Sequence, residues 1–552
     1  MGQLSAVMQA QAKQAPERVA YRMIPSGLAV TWFELEQRTR RCAVAMLEAG
    51  LKEGDCIAVY LENHARYFEI LWAAHRIGLY YAPISLHLKQ NELEYIVKDC
   101  GAKLLFLSRQ TLQNISSEWL ATLSAQSVVL ESEPKDGVES DSKDVVGSTP
   151  KDALSSAAKQ TLGARSKDAL NYEAWLATIP LDVVLPEVET EGTDFCYSSG
   201  TTGVPKGIKR PLQKANAYFQ SAGDPRTRWK EFGTDSVYLS TAPFYHAAPV
   251  RWNLSVIKAG GTSLIMTKFD SALALQTIER YRVTHGQWVP TMFARMLRLP
   301  EAERKGYDLS SLRFVIHAAA PCPVPLKQQV IDWFGPIVYE YYAGTELVGR
   351  TSIASNEWLA HRGSVGRAEF GAVHIVDQEG VELGVRQNGV IYFSGGGTFE
   401  YHNDPVKTRL AYNERGWATY GDIGYLDEEG YLYLTDRLAN TIVSGGVNIY
   451  PQEAENILSI HPAVKDVAVV GVPDEEFGES VKAVVELIDA SRAGPELERD
   501  LIAFCRAQIS ALKCPKSIDF VQSLPRTEAG KLIKREVRDQ YWKNKGQSRI
   551  AH

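Results

Sequence analysis

The chain has 552 residues, of which 45% are hydrophobic and 23% charged, and its formal net charge is −6. This length predicts at least two domains with large buried cores, and a chain with no basic excess is not expected to bind nucleic acid. Seven scattered cysteines without a Cys-x-x-Cys pair indicate neither a disulfide framework nor a zinc site, so we expect a reducing, cytoplasmic location.

The N-terminal segment has no apolar core long enough for a signal peptide, and no later segment approaches the length of a membrane span. Gly2 is followed at position 6 by Ala rather than by the Ser or Thr of a myristoylation motif. We expect a soluble protein, which leaves peripheral membrane contact open, and either a monomer or a homodimer.

Helical and strand patterns alternate over residues 32–130. Apolar spacing predicts helices at 33–49, with Gly50 as a stop, and at 67–77, while β-rich runs predict strands at 56–60 and 104–107. Strands separated by helices indicate a layered, mostly parallel α/β sheet.

A low-complexity stretch follows at 131–170, where Lys recurs every eight residues among Ser, Gly, Ala, Glu and Val. That period matches neither a helix nor a strand, and the composition can bury little surface. We therefore expect a solvated insertion.

The segment 197–207, YSSGTTGVPKG, concentrates glycines and hydroxyl residues before Lys206. A strand-like run at 193–197 leads into it. Backbone N–H groups, hydroxyls and one ammonium that converge on a small space suit a polyphosphate. Neither Ser nor Thr follows the lysine, so this is not the GxxxxGK[ST] phosphate loop. A mobile surface loop is the alternative for such a composition.

Three later strand patterns each end in a small-residue turn: 236–240 precedes PFYHAAP, 314–316 precedes HAAAP, and 338–342 precedes AGTE. Open α/β sheets bind ligands at such strand ends. Hairpin patterns then cover 370–436, with turns at 377–380 and 427–430. The last hundred or so residues predict a small α+β domain with a helix from Pro451, strands at 467–471 and 481–487, and a helix at 496–511.

Five motifs occur in the order SSGTTGVPKG, YYAGTE, GWATYGDIG, DRLANTIVSGGVNIYPQE and PRTEAGKLIKRE. Together they resemble the adenylate-forming superfamily of acyl-CoA synthetases, luciferases and peptide-synthetase adenylation domains, and most of all the bacterial fatty-acid–CoA ligase type. The resemblance implies an α/β fold with a large N-terminal domain of several subdomains, built from layered sheets and helices (1–436). A hinge (437–441) would connect it to a small mobile α+β C-terminal domain (442–552).

The resemblance also implies the reaction of an acid–thiol ligase that uses ATP, Mg²⁺ and CoA. A carboxylate attacks the α-phosphate of ATP, pyrophosphate leaves, and the acyl-adenylate passes its acyl group to CoA with release of AMP. Because two anions meet, catalysis must neutralise charge and hold both groups in line. The implied ATP- and AMP-binding residues are Ser198, Ser199, Gly200, Thr201, Thr202, Gly203, Lys206, His317, Ala318, Ala319, Ala320, Pro321, Tyr342, Ala343, Gly344, Thr345, Asp422, Arg437 and Lys531.

Within that set, the resemblance assigns the β- and γ-phosphates to 198–206 and the α-phosphate to Thr345. Glu346, together with Thr201, would hold Mg²⁺, which prefers carboxylate, hydroxyl and phosphate oxygens. Without the accompanying motifs, Glu346 would be read as a surface turn carboxylate.

The nucleoside would bind nearby. The resemblance implies that Asp422 accepts both ribose hydroxyls, a task for a two-oxygen acceptor, and that Tyr342 and 317–321 sandwich the adenine. Arg437 would add positive charge, with a structural ion pair as its alternative. Lys531 would bridge the attacking carboxylate and the α-phosphate.

The small domain would swing between a pose that delivers its catalytic lysine and a pose that lines the CoA path with Ser444, Gly445 and Gly446. A tight turn is the alternative reading of these glycines. Two positions depart from the family pattern: Ala439 lies at the hinge where Asp or Lys is usual, and Tyr420 stands where Thr is usual.

The implied acyl pocket is mainly aromatic and aliphatic, which suits an apolar tail with few orienting polar groups. No acidic residue lies between Pro243 and Asn253 to hold a substrate ammonium. We therefore expect a fatty, aryl-alkanoic or terpenoid- or steroid-like acid, with His246 as a positioning gate beside the adenylate. Core packing is the alternative for many of the pocket residues, which are Phe244, Tyr245, His246, Trp252, Trp288, Met292 and Phe293.

Two other functions stay open. One is adenylation with another acyl acceptor, such as a carrier protein or a luciferase-like oxidation. The other is an inactive, lipid-binding relative. The joint presence of Thr345, Glu346, Asp422 and Lys531 argues against the inactive relative.

Overall fold

The computed structural model describes residues 2–131, 169–198, 205–215, 232–526 and 532–543. The predicted insertion therefore lies almost wholly outside the described residues. The chain divides into two compact units. The first comprises Met1–Gln287, Ala302–Phe314 and Thr398–Pro405, and the second comprises Trp288–Glu301, Val315–Gly397 and Val406–His552.

One sheet of the first unit contains six described strands that all pair in parallel. Its central strands are buried along their length apart from Lys103, as expected for a parallel sheet covered on both faces. In sheet order the strands are Leu170–Asn171, Gln126–Leu130, Ala102–Ser108, Cys56–Tyr60, Tyr80–Pro83 and Thr193–Asp194.

Five further strands lie in this unit, apart from Trp288 at the end of one of them. They pair in parallel, except that Val19–Ile24 and Ala29–Thr31 pair with each other antiparallel. In order they are His285–Trp288, Val237–Ser240, Thr262–Met266, Val19–Ile24 and Ala29–Thr31. Short antiparallel pairings join Cys196–Ser198, Lys206–Lys209 and Glu400–Tyr401, and separately Thr190–Glu191 and Gln213–Lys214. The helices are Gln3–Gln14, Trp32–Glu48, Tyr67–Arg76, Gln90–Asp99, Arg109–Leu112, Ser117–Thr122, Tyr172–Ala177, Ala247–Lys258, Ser271–Tyr281 and Glu301–Arg304.

Local chemistry sets the ends of the first predicted helix. The Thr31 side chain accepts a hydrogen bond from the Glu34 N–H, and the Glu34 carboxylate accepts one from the Thr31 N–H. This capping box begins Trp32–Glu48. Gly50 follows with φ +86°, a left-handed conformation suited to ending a helix.

In the second unit, Phe314–His317 and Val338–Tyr342 pair in parallel, and Arg350–Ala354 and Arg367–Phe370 continue antiparallel. A four-stranded antiparallel sheet follows, formed by Ala372–Val376, Gly389–Ser394, Ala418–Leu426 and Leu432–Arg437. Turns lie at 377–380 and 427–430, as predicted. The helices are Pro290–Leu297, Val324–Phe334, Ser355–Ala360 and Pro405–Leu410.

The C-terminal part has its own apolar core. Its described strands are Val447–Ile449, Ile442–Ser444, Gly478–Leu487 and Val464–Asp474, with Ser517–Val521 parallel to Gly478–Leu487. Its helices are Pro451–Leu458, Pro495–Arg506 and Lys534–Lys543, with 3₁₀ turns at Leu438–Asn440 and Ala490–Arg492.

Several predicted boundaries in this part were wrong. The strands predicted at 467–471 and 481–487 are longer in the structure, where they span Val464–Asp474 and Gly478–Leu487. The helix predicted at 496–511 ends at Arg506. Ile509 continues the apolar spacing because it packs against the same core after the backbone has left the helix.

The predicted fold class is confirmed: a large α/β N-terminal region of sheets and helices precedes a C-terminal domain. The boundaries at 436 and 442 stay predictions. Within the described ranges, no helix is long and apolar enough to cross a membrane.

Candidate functional site

Three predicted nucleoside-binding side chains meet in the second unit. The Tyr342 hydroxyl donates a hydrogen bond of 2.6 Å to Asp422 Oδ2, and Arg437 Nε lies 3.1 Å from Asp422 Oδ1. Asp422 and Arg437 are register partners on neighbouring strands. Asp422 is buried, while half of the Arg437 side chain is exposed. The carboxylate is therefore fixed from both sides.

Electrostatic interactions further stabilise the contacts among Tyr342, Asp422 and Arg437. The neighbouring Asp422 carboxylate raises the pKa of Arg437. Burial, together with the same carboxylate, raises the pKa of Tyr342 well above its usual value. The phenol therefore stays protonated and donates to Asp422 at neutral pH. Each carboxylate oxygen keeps a further lone pair for another donor.

The predicted adenine segment, 317–321, begins at the end of the strand Phe314–His317. His317 is buried, whereas Ala319 and Pro321 are exposed. Ala319 adopts φ +73°, an uncommon conformation for a residue with a Cβ. A flat ligand could approach such a small-residue turn closely.

Below this turn lies a buried polar cluster that the sequence analysis missed. Lys327 Nζ lies 2.5 Å from Glu340 Oε2, and Glu340 is the register partner of His317 on the neighbouring strand. Burial and the Lys327 ammonium hold the pKa of His317 well below its usual value, so this imidazole is neutral at pH 7. Burial raises the pKa of Glu340, and Lys327 opposes that rise. The available sequence signal was one Lys in an amphipathic helix pattern and one Glu in the tyrosine-rich strand Val338–Tyr342.

Thr345 and Glu346 follow the strand Val338–Tyr342 in a half-buried loop. Glu346 Oε2 is close to the backbone of this loop, since a Cβ built on Gly344 would lie 2.7 Å from it. In the part of the chain that the structure describes, no group of three or more His, Cys, Asp or Glu side chains could hold a metal ion. Mg²⁺ that accompanies ATP commonly uses only one or two protein carboxylates together with phosphate oxygens, and Glu346 fits that donor set.

In the first unit, the predicted phosphate-binding segment forms the base of a hairpin. Ser198 pairs with Lys206, and Tyr197 pairs with Gly207. Lys206 Nζ lies 5.0 Å from the centre of the Tyr401 ring. The structure therefore brings together the first and last residues of the motif. Ser199, Gly200, Thr201, Thr202 and Gly203 lie outside the described residues.

A buried ion-pair cluster anchors the approach to this hairpin. Asp194 accepts hydrogen bonds from Arg251 at 2.7 Å and from Arg210 at 2.8 Å. Burial alone would raise the pKa of Asp194, but the two guanidinium groups outweigh burial and hold it well below its usual value. The cluster connects the strand Thr193–Asp194 to the helix Ala247–Lys258.

The acyl-pocket candidates of the first unit are either buried packing residues or residues at the start of a helix. Phe244 is fully buried against Tyr67 and Phe68, with ring centroids 5.1 and 4.4 Å away, so it forms part of the core. Trp252 is also buried. Tyr245 and His246 lie at the start of the helix Ala247–Lys258 with ring centroids 4.6 Å apart, and His246 is half-buried.

The remaining acyl-pocket candidates belong to the second unit, where Trp288, Met292 and Phe293 are buried. Phe293 packs edge-on against His317 with ring centroids 5.7 Å apart. This contact joins the helix Pro290–Leu297 to the strand that precedes the adenine segment.

Ser444, Gly445 and Gly446 form the tip of a hairpin between Ile442–Ser444 and Val447–Ile449. Gly445 and Gly446 have φ of +58° and +80°, the conformation that a two-residue hairpin turn requires. A Cβ on Gly445 would lie 3.1 Å from the Phe477 ring. Lys531 lies outside the described residues.

Two profiles of known protein families match this chain. The profile described as AMP-binding enzyme covers residues 8–401. The profile described as AMP-binding enzyme C-terminal domain covers residues 453–531. Both parts of the chain thus carry sequence signatures of one enzyme class.

Curated relatives align over nearly the whole chain. A feruloyl-CoA synthase from Amycolatopsis sp is 30% identical over 537 residues, 96% of this chain and 97% of that protein. A long-chain-fatty-acid–CoA ligase of Mycobacterium tuberculosis is 28% identical, with coverage of 97% and 98%. A 3-[(3aS,4S,7aS)-7a-methyl-1,5-dioxo-octahydro-1H-inden-4-yl]propanoyl:CoA ligase of the same organism is 30% identical, with 96% of each chain covered.

Solved structures share the fold over almost the same extent. The amide bond synthetase McbA from Marinactinospora thermotolerans is 25% identical with a TM-score of 0.76, and the match covers 98% of this chain and 99% of that one. ATP-bound MatB from Rhodopseudomonas palustris is 24% identical with a TM-score of 0.77 and the same coverage.

Proposed function

Because this chain belongs to the AMP-binding enzyme family, we propose that it converts a hydrophobic carboxylic acid into its CoA thioester through an acyl-adenylate. The trio formed by Tyr342, Asp422 and Arg437 carries the proposal. It presents a buried carboxylate with spare acceptor capacity between two residues that end their strands, Tyr342 and Arg437, and α/β sheets bind nucleotides at strand ends.

In this proposal, Asp422 accepts the two ribose hydroxyls while Tyr342 and Arg437 hold its carboxylate in place. The small-residue segment 317–321 lets the adenine approach the backbone, and Tyr342 lies on its other side. In this binding mode, the phosphates of ATP would extend from the ribose toward the donors described next.

The phosphates would meet donors from two motifs. Ser198 and Lys206, at the base of the hairpin, bind the β- and γ-phosphates, and Thr345 binds the α-phosphate. Glu346 and Thr201 hold Mg²⁺, which supplies positive charge against the phosphate oxygens. Lys531 places its ammonium between the acid and the α-phosphate, which offsets the repulsion of the two anions.

The acyl group would lie near His246, which positions the carboxylate rather than moving a proton, because a carboxylic acid is already ionised at neutral pH. The relatives act, by their names, on a ferulic, a long-chain fatty and a bicyclic propanoic acid. All three acids have uncharged tails with a large hydrocarbon part, so we propose a fatty, aryl-alkanoic or alicyclic acid.

Transfer to CoA would follow a movement of the C-terminal domain about 437–441. Ser444, Gly445 and Gly446 would then line the pantetheine path, with the glycine backbone close to the ligand. All seven cysteines are free thiols, which fits a reaction in the reducing cytoplasm.

A second candidate is transfer of the acyl group to an amine. The structural likeness to an amide bond synthetase favours including it. The same adenylate would form, but the product would be an amide rather than a thioester.

The test measures pyrophosphate release from ATP and Mg²⁺ across long-chain fatty, ferulic and bicyclic propanoic acids, with CoA, with an amine, or with neither. We expect acid-dependent pyrophosphate release and a CoA thioester, and a loss of several orders of magnitude in Lys531→Ala. The matched control, Lys543→Ala, alters an exposed lysine on the last described helix and should behave like the wild type. An amide product without a thioester would support the second candidate, and no pyrophosphate with any acid would reject both.

A further inference from the structure

Tyr420 joins two motifs that lie far apart in the sequence. Its hydroxyl donates a hydrogen bond of 2.8 Å to the Gly349 carbonyl and accepts one of 3.2 Å from the Gly349 N–H. Its ring packs edge-on against Tyr342, with ring centroids 5.7 Å apart, and at a tilt against Phe393, with centroids 5.6 Å apart. One side chain thus satisfies both backbone polar groups at the end of the loop 343–349.

The ring of Tyr420 also occupies the space beside the start of that loop. A Cβ built on Gly344 would lie 2.3 Å from both Cδ1 and Cε1 of Tyr420, far inside van der Waals contact. Gly344 does not adopt the left-handed conformation that would itself require glycine. Steric exclusion by Tyr420, with a lesser contribution from Glu346 Oε2 at 2.7 Å, therefore explains the glycine.

A second glycine supports the same arrangement. A Cβ on Gly349 would lie 1.9 Å from Cδ1 of Phe393, so the backbone of Gly349 can reach the Tyr420 hydroxyl only because it has no side chain. Tyr420 holds the loop at both ends: its ring lies against Gly344 and its hydroxyl is bonded to Gly349. Thr345 and Glu346 lie between these two contacts.

From this geometry we propose that Tyr420 is a positioning residue for Thr345 and Glu346, and that Tyr420 and Gly344 form a matched pair of a large ring opposite an absent side chain. The proposal rests on the adenylation function proposed above. Tyr420 acts through the loop and need not touch ATP. Its loss should weaken the first half-reaction, in which Thr345 and Glu346 face the phosphates and Mg²⁺, and leave the transfer to CoA unchanged.

The kinetic test compares Tyr420→Phe with Tyr425→Phe, a matched control on the same strand whose ring stacks on Tyr433. We expect Tyr420→Phe to raise KM for ATP about 3- to 10-fold, because it removes both hydrogen bonds between the hydroxyl and Gly349 but keeps the ring. The rate of thioester formation from supplied acyl-adenylate should not change. An unchanged KM for ATP in Tyr420→Phe, or equal losses in both half-reactions, would overturn the positioning role.

The matched pair is tested by a double-mutant cycle with Gly344→Ala and Tyr420→Thr. Gly344→Ala should lower kcat/KM for ATP by about 10- to 100-fold in the wild-type background, as forced overpacking predicts. The same change should cost less than about 3-fold when Tyr420→Thr has removed the ring. Equal losses in the two backgrounds would reject the pairing.

A readout without turnover separates this inference from the proposed function. If the wild type forms no adenylate with any acid, the proposed function fails, and the pair is still measured by thermal unfolding of the four proteins. A Gly344→Ala destabilisation that largely disappears in Tyr420→Thr supports the pair, and additive changes in Tm reject it. The rise in Tm produced by ATP and Mg²⁺ should be smaller in Tyr420→Phe than in Tyr425→Phe, and an equal rise would contradict the positioning role.

Discussion

At the scale of single residues, Asp422 is the side chain whose change should reveal the nucleotide site. Asp422→Asn keeps the shape but removes the charge that faces Arg437. We expect kcat/KM for ATP to fall about 100-fold, because a hydrogen bond to a charged group contributes roughly 1.5–3 kcal/mol. The rise in Tm with ATP should shrink in parallel.

The same substitution at Asp377 serves as the control. Its carboxylate accepts bonds from turn N–H groups at the end of the strand Ala372–Val376 on the same sheet. Asp377→Asn should keep wild-type kinetics. Equal effects of the two substitutions would show that Asp422 has only a structural role.

Asp194 illustrates how burial changes the energetics of a charge pair. Its pKa is depressed in the folded state, so the unfolded chain binds the proton more readily. The stabilisation is therefore complete above the ordinary carboxyl pKa of about 3.9 and is lost as the pH falls through and below that value. The loss of stability through this carboxyl group should therefore begin at about pH 4.

Asp194→Asn should destabilise the protein by about 3–5 kcal/mol at pH 7, since it leaves two buried guanidinium groups without their carboxylate. Its stability should also change less between pH 5 and pH 2 than that of the wild type, because the wild type loses the stabilisation by Asp194 in that range. Denaturant unfolding at both pH values measures this. Asp235→Asn, which breaks an exposed pair with Arg313, should cost less than about 1 kcal/mol, and a similar cost for both would contradict the argument.

Individual site residues were predicted from motifs, and the contacts between motifs were not. The sequence indicated Tyr342, Asp422 and Arg437 separately, and the structure joins them. Tyr420 was recognised only as a departure from the usual Thr, because its neighbours Gly344 and Gly349 lie over 70 residues away. Local patterns carry no information about which side chains meet across a sheet.

At the scale of elements, a substitution in the hairpin formed by Ser444, Gly445 and Gly446 should affect one half-reaction and not the other. Gly446 has φ +80° and no atom within 4 Å of a built Cβ. Gly446→Ala therefore adds about 1–2 kcal/mol of backbone strain without a clash. We expect slower thioester formation and unchanged pyrophosphate release.

Gly494→Ala is the matched control in the same domain. Its position is equally open but its φ is 167°, which is extended backbone. It should alter neither half-reaction. If both substitutions slowed thioester formation equally, the hairpin would have no specific role in the CoA path.

Elements with strong local signals were predicted well. The helix Trp32–Glu48 matched within about a residue at each end because a capping box and a glycine determine its ends. The helix Pro495–Arg506 was predicted too long because Ile509 continues its apolar spacing from a turn. Periodicity reports which side chains face a core, and a turn that packs on that core has the same signature.

At the scale of the whole molecule, the proposed function predicts that Lys531 serves only the first of two reactions. Lys531→Ala should abolish pyrophosphate release. The variant should still convert supplied acyl-adenylate and CoA to thioester at close to the wild-type rate. Single-turnover measurements of each half-reaction test this, with Lys543→Ala as the control. Equal losses in both steps would contradict a division of roles between Lys531 and the glycine hairpin.

The fold class could be predicted from alternating patterns, because strands and helices of ordinary length dominate both parts of the chain. The division into units could not. Each unit is formed by three separate segments of the sequence. No change in composition marks the positions where the chain passes from one unit to the other.

The pairing of Gly344 with Tyr420 also limits the order in which these two positions can evolve. A lineage that begins with a side chain at 344 and a small residue at 420 cannot gain the ring first, since the two groups would occupy the same space. Glycine must come first, and the tyrosine can follow. Once the ring is in place, a side chain at 344 clashes with it and lowers activity until 420 changes again. The steric contact thus restricts the order of substitutions in the loop that carries Thr345 and Glu346.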